Sequence, residues 1–211
     1  MIKVGVQIKC CDRQEKPNRE IRTVPALEST KDKIVDTAVR LFYSRGIRAT
    51  TTDLIISEAG VHKSTFFKHF PTKAEVVVAY LKRRDDRWMD WLTTRVEELA
   101  KKPENRLIAI FDALGEWFSE ADFRGCAFIN VAAETADTRA VDFALAVEHK
   151  RRLAALVKDY AKLAHVKRVD QLVDEFMLLI EGAIVRAQME GTNKSAVTAK
   201  SIAKTLLAKN S

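Results

Sequence analysis

The sequence predicts an all-α protein, and three observations carry that prediction. Its 211 residues include only four Pro and seven Gly, so long stretches run without a helix breaker. Apolar residues recur at three- and four-residue spacing, the period of one helix face. No segment alternates apolar and polar residues as a half-buried strand does. With 47% apolar residues the chain can bury a sizeable core, and its length suits one large or two small domains.

Each element follows from local signals. Residues 1–28 mix charges with Pro17 and Pro25, show no sustained period, and read as a loose extension. Ser29 caps a first helix with Asp32 three residues on. Ile34, Val35, Ala38, Leu41 and Phe42 form its apolar stripe, and Gly46 ends it. A second helix starts at Thr51 or Thr52 and carries Leu54, Ile55 and Ala59. A third runs from about His62 to Phe70, stopped by Pro71. Thr72 and Glu75 make a capping box for a long fourth helix to about Ala100. Pro103 opens a fifth that reaches about Glu120. A sixth spans Cys126 to Ala136, a seventh Arg139 to about Ala164, and an eighth Val169 to about Glu190, closed by Gly191. Ser195 to Lys209 is a ninth. The expected division is an extension (1–28), a small domain (29–75) and a larger body (76–211).

The charge is unevenly placed. The net value is +7; residues 1–85 carry 17 Lys+Arg against 10 Asp+Glu, and residues 86–211 carry 19 of each. A basic end on a neutral body suits a partner rich in phosphate. The start, MIKVGVQIKCC, is interrupted by Lys3 and Lys9 and is too short for a signal peptide. No apolar run is long enough for a bilayer, so no membrane partner is expected and the location should be cytoplasmic. Cys10, Cys11 and Cys126 form no CxxC pair, which argues against a structural metal. Cys126 could serve as a redox sensor, but it lacks a neighbouring resolving cysteine and reads first as a small buried hydrophobe.

Residues 50–73, TTTDLIISEAGVHKSTFFKHFPTK, carry the most information. Two short helical segments flank Ala59-Gly60-Val61, and the second is small, basic and aromatic. That pattern is a helix-turn-helix, in which the first helix crosses the phosphate backbone and the second enters the major groove. AGVHKSTFFKHFPTKAE and the preceding TKDKIVDTAVRLFYSRGIRATTTDLI resemble the helix-turn-helix and first helix of the TetR/AcrR transcriptional regulators, over about residues 29–76. The resemblance implies a three-helix DNA-binding domain and a helical C-terminal domain that dimerises and takes a small-molecule inducer. No Gly-rich phosphate loop or metal-ligand spacing supports catalysis, and neither a cofactor nor an enzymatic activity is expected.

On that footing Lys63, Ser64 and Thr65 begin the reading helix and face base edges, with Lys63 aimed at guanine. Phe67 adds apolar contact. Lys68 and His69 at the far end, Lys73 at the next helix start, and Thr51 or Thr52 at the second helix start are assigned to phosphate. Arg48 and Thr50 are weaker candidates. Ile55, Val61, Phe66 and Phe70 are expected in the core. His62, Phe67 and Ile56 depart from the family pattern of Ser, Tyr and Ala.

In the body, Leu172, Phe176, Leu179, Ala183 and Ala187 form one apolar stripe, and Ile202, Ala203 and Leu206 another. Paired across a two-fold axis they would make a four-helix dimer interface; alternatively both pack internally. Trp88, Phe111 and Trp117 offer aromatic surface to a ligand or simply to the core. Asn130, His149 and Glu181 are polar residues in or beside apolar stretches, with Glu181 expected to meet a Lys or Arg across an interface. The leading expectation is a dimeric repressor on a double-stranded, palindromic DNA operator, released by a small molecule. A helical-bundle enzyme or small-molecule carrier is the alternative, but no nucleophile–base pair stands out in the sequence. A non-specific architectural DNA binder is a third.

Overall fold

A computed structural model describes residues 29–210, and among these every regular element is helical. Nothing is assigned for residues 1–28, so the expected extension lies outside the described residues. Helix α1 (Thr30–Arg45) begins where the Ser29 hydroxyl accepts from the Asp32 N–H at 3.1 Å. Helix α2 (Thr52–Ala59) is capped by Thr51, whose hydroxyl accepts from the Leu54 N–H at 3.1 Å. Helix α3 (Lys63–His69) starts at His62, which makes no side-chain cap bond. Helix α4 (Lys73–Leu99) starts at Thr72, whose hydroxyl accepts from the Glu75 N–H at 3.3 Å. Its 27 residues span about 40 Å.

The rest of the body follows in order. A 3-10 turn (Pro103–Asn105) leads into α5 (Arg106–Trp117), then α6 (Ala127–Glu134), α7 (Val141–Leu163), α8 (Val169–Glu190) and α9 (Lys194–Asn210). The fifth helix is shorter than its apolar pattern suggests. Ser119 and Glu120 donate to carbonyls three residues back, Glu116 and Trp117, so the chain tightens and leaves the α-helical path. The sixth and seventh helices likewise begin and end within a few residues of expectation.

Helices α1, α2 and α3 enclose a small core of Ile34, Leu41, Ile55, Phe66 and Phe70, all buried. Val61 is half-buried beside it. Helix α4 leaves this unit and runs through the body. It is tied back to α1 by Phe42 and Tyr80, 5.3 Å between ring centres, and by Arg83, which binds Asp32 at 2.5 Å and Asp36 at 2.9 Å. Burial pushes the Tyr80 hydroxyl pKa up. The body packs α4, α5, α7, α8 and α9 together. Lys200 on α9 reaches both carboxylate oxygens of Asp112 on α5 at 2.6 Å.

The apolar stripe assigned to dimerisation turns inward. Leu172 and Phe176 are fully buried within one protomer, and Ala183 and Ala187 nearly so. Phe176 lies 5.7 Å from Phe111, ring centre to ring centre. Leu179 and Leu206 are half-buried, and of the set only Ile202 is exposed, at 45%. The reason is geometric: α8 carries two apolar stripes, and the one with the larger side chains fills the protomer's own core. Leu178, Val185 and Met189 occupy the opposite side and are exposed, as are Val197 and Ile202 on α9.

Candidate nucleic-acid interface and inner cavity

The turn between α2 and α3 depends on Gly60, which sits at φ 59° in the left-handed region that glycine enters without strain. It sets α3 so that Phe66 and Phe70 face inward. Lys63, Ser64, Phe67 and Lys68 then project to solvent, and Thr65 and His69 are half-buried at the edge. Phe67 is 38% exposed and rests edge-on against Phe66 at 5.3 Å. An aromatic ring held outward by a second ring is a rigid apolar contact for a partner. Lys63 Nζ meets Asp53 of α2 at 3.1 Å, with both side chains largely exposed. Such a pair is worth about 0–1 kcal/mol, so Lys63 is easily released to a phosphate or base.

Three neighbours are used differently. Thr50 is fully buried and donates to the Gly46 carbonyl at 2.8 Å, which makes it structural. Lys73 donates to the Ile47 carbonyl at 2.6 Å and is half-buried. In the unbound chain it braces the α1–α2 loop and does not stand free for phosphate. Arg48 donates to the Glu134 carbonyl at 2.8 Å. Thr51 is exposed and Thr52 half-buried at the start of α2.

Glu134 joins the small unit to the body. Its carboxylate accepts from the backbone N–H of Ile47 at 3.3 Å and of Arg48 at 2.9 Å. Gly46, at φ 85°, permits this approach, since a side chain there would meet Glu134 Oε1 at 2.9 Å. The other end of α6 is held as well. Tyr43 donates to the Gly125 carbonyl at 3.0 Å and accepts from the Arg124 N–H at 2.9 Å. Helix α6 is thus a strut with both ends on α1 and its following loop. Glu134→Ala should cost about 1–2 kcal/mol through these lost bonds, lowering Tm by roughly 2–4 °C for each kcal/mol. Hydrogen exchange at Ile47 and Arg48 should accelerate; unchanged exchange at both would contradict the strut.

A cavity lies inside the body. Trp88, Trp117, Cys126, Phe128, His149 and Ile184 are among its walls, and it offers about 10 Å³ to the centre of a water molecule. That is room for one water. Of the residues expected to bind a ligand, Trp88, Trp117 and His149 are brought together here. Phe111 is not: it packs on Phe176. Asn130 is also elsewhere, donating its amide to the Arg124 carbonyl at 3.0 Å. Glu181 pairs with Lys150 of the same protomer at 3.4 Å, where a partner across an interface was expected.

His149 is 2% exposed. Its ring stacks on Phe128 at 3.8 Å, and its Nδ1 lies 2.7 Å from Asp85 Oδ1. Arg152 holds the other Asp85 oxygen. Burial pushes against charge on both partners, yet hydrogen bonding wins: Asp85 is held below the usual carboxylate range and His149 is raised above its ordinary value. Sequence reasoning missed Asp85, Phe128 and Lys150 here. Asp85 stands in the charged run Arg83 to Arg87 and gives no signal that it turns towards His149.

The fold and this surface define a helical protein with a helix-turn-helix head. Residues 34–80 match the family model described as bacterial regulatory proteins, tetR family. Over those residues the chain carries the N-terminal domain of that family. It is 30% identical over 39% of its length to YerO, an uncharacterised HTH-type transcriptional regulator of Bacillus subtilis, covering 28% of that protein. It is 28% identical over 54% of its length to the transcriptional repressor KstR2 of Mycolicibacterium smegmatis, covering 56% of it. The chain therefore spans between about a quarter and somewhat over half of these curated relatives. The fold match is broader: SCO4454, a TetR-family regulator from Streptomyces coelicolor, superposes with a TM-score of 0.76 at 21% identity, over 86% of this chain and 95% of that one.

Proposed function

We propose that this chain is a transcriptional repressor that binds a palindromic DNA operator as a homodimer and releases it when a small molecule enters the body. Residues 29–75 are the reading head and residues 76–211 the ligand-binding and dimerising part. The observation that carries the reading is the outward set on α3: Lys63, Ser64, Phe67 and Lys68 face solvent from a helix whose other side is sealed by Phe66 and Phe70. Lys63 and Ser64 are assigned to base edges, with Thr65 and His69 at the rim. Thr51, Thr52 and Lys68 are assigned to phosphate. The dimer face is the exposed side of α8 and α9, with Leu178, Val185, Met189, Val197 and Ile202. A second copy is its partner because a two-fold operator calls for two reading heads.

The inducer site is the cavity between Trp88, Trp117 and His149, which must widen to take a ligand. No described helix is long and apolar enough to cross a membrane, and no metal-holding group of His, Cys, Asp or Glu occurs among the described residues.

Two variants test the assignment on α3. Lys63→Ala should cost about 1–3 kcal/mol on the operator and much less on random DNA, as loss of a base contact does. Lys68→Ala should weaken all sequences alike and reduce the salt slope by about one phosphate. Anisotropy titrations at several salt concentrations read both effects. Equal losses on operator and random DNA from Lys63→Ala would remove it from the base-reading set.

A further inference from the structure

Cys126 is 5% exposed. Burial by itself keeps a thiol protonated and inert, but the surroundings here oppose that. His149 and Cys126 are walls of one cavity, and since the His149 Nδ1 is engaged by Asp85 the ring's other nitrogen is the one left for sulfur. The Lys150 ammonium lies 3.7 Å from Sγ. Burial pushes the thiol pKa up, yet His149 and Lys150 more than offset it and bring it down to about 7. Thiol, imidazole and carboxylate thus stand in the order that activates a sulfur nucleophile, with Asp85 fixing the imidazole and Arg152 fixing Asp85.

A second feature of the same cavity points to a guest. Trp88 is 7% exposed, and its indole N–H is buried without a hydrogen-bond acceptor. A buried unpaired donor is unfavourable until an acceptor arrives. Trp88 and Cys126 are walls of one cavity with room for a single water. Without the widening that an inducer needs, the cavity favours a very small guest that carries an oxygen acceptor and is open to attack by sulfur.

We propose that Cys126 is a modification site for hydrogen peroxide or a hydroperoxide of similar size. His149 takes the thiol proton. The sulfur attacks the nearer peroxide oxygen, and the S–O bond forms as the O–O bond breaks. The departing oxygen takes the proton back from His149 and leaves as water. Cys126 is oxidised by two electrons to a sulfenic acid and the peroxide is reduced; no other reactant is needed. The Trp88 N–H donates to a peroxide oxygen during the attack. The added oxygen has little space at a residue that caps α6, and the far end of α6 carries Glu134 on the Ile47–Arg48 loop. Oxidation then loosens the reading head, a consequence that rests on the proposed repressor function.

The test uses the full-length protein and hydrogen peroxide. Samples are quenched with catalase, unfolded in guanidinium with N-ethylmaleimide, and mapped by mass spectrometry, so that Cys126 is scored apart from Cys10 and Cys11. Cys126 is expected to be lost at least about ten times faster than glutathione at pH 7. His149→Asn and Asp85→Asn, each checked for helicity, should slow that loss about tenfold or more. A wild-type rate no faster than glutathione overturns the proposal whatever the variants do, and so does an unchanged rate in a folded variant. Operator binding by untreated protein is measured alongside. Its absence would remove the repressor reading and leave the thiol chemistry standing, whereas binding combined with an inert thiol removes this inference alone.

Discussion

Phe176→Ala is expected to lower the stability of the folded chain by about 3–5 kcal/mol, as loss of a fully buried aromatic ring does. Phe176 has no exposed surface and meets Phe111 across the α5–α8 contact. Its removal leaves a void bounded by helices that also pack on α7 and α9, so the surroundings can collapse only in part. The melting temperature should fall by roughly 6–20 °C, and the unfolding midpoint in urea should fall with it. The loss belongs to the protomer. A loss below about 1 kcal/mol, accompanied by dissociation, would return Phe176 to a subunit interface.

Leu178→Asp is expected to do the reverse. Leu178 is 75% exposed in the protomer, so the substitution should change the fold's own stability by no more than about 0.5 kcal/mol. In the proposed dimer it would place an unpaired carboxylate inside the α8–α9 contact, at a cost of several kcal/mol, roughly 3–5. Sedimentation should show a well-folded monomer at concentrations where the parent chain is a dimer. Operator affinity should collapse, because one reading head holds only half the site. An unchanged sedimentation coefficient would place the interface on another face.

These two residues show where sequence and structure part. Leu178 and Phe176 lie two positions apart on one amphipathic pattern. Helical periodicity marks both as belonging to apolar stripes, but it does not say which stripe meets the chain's own core and which meets a second copy. The reading head was far more legible. Ser29, Thr51 and Thr72 cap helices by local chemistry, Gly60 makes a local turn, and Phe66 and Phe70 follow from local spacing. Each signal lies within a few residues of its effect. The cavity was legible only in part. Trp88, Trp117 and His149 announced themselves by type, whereas Asp85 and Cys126 gain their chemistry from partners 64 and 23 positions away along the chain, both through His149. Arg48, Thr50 and Lys73 were drawn towards DNA by sequence position, yet their contacts with Glu134, Gly46 and Ile47 show them bracing the head. A cation beside a reading helix and a cation holding a loop look alike in sequence.

In the proposed repressor, α3 of two copies reads a two-fold DNA site. The direct measurement selects bound sequences from a random pool, then titrates the chain against the selected DNA and against the same DNA with both half-sites scrambled, at one salt concentration. An inverted repeat and an affinity ratio of about 10³ or more are expected. Selected sequences without two-fold symmetry, or a ratio near one, would contradict it.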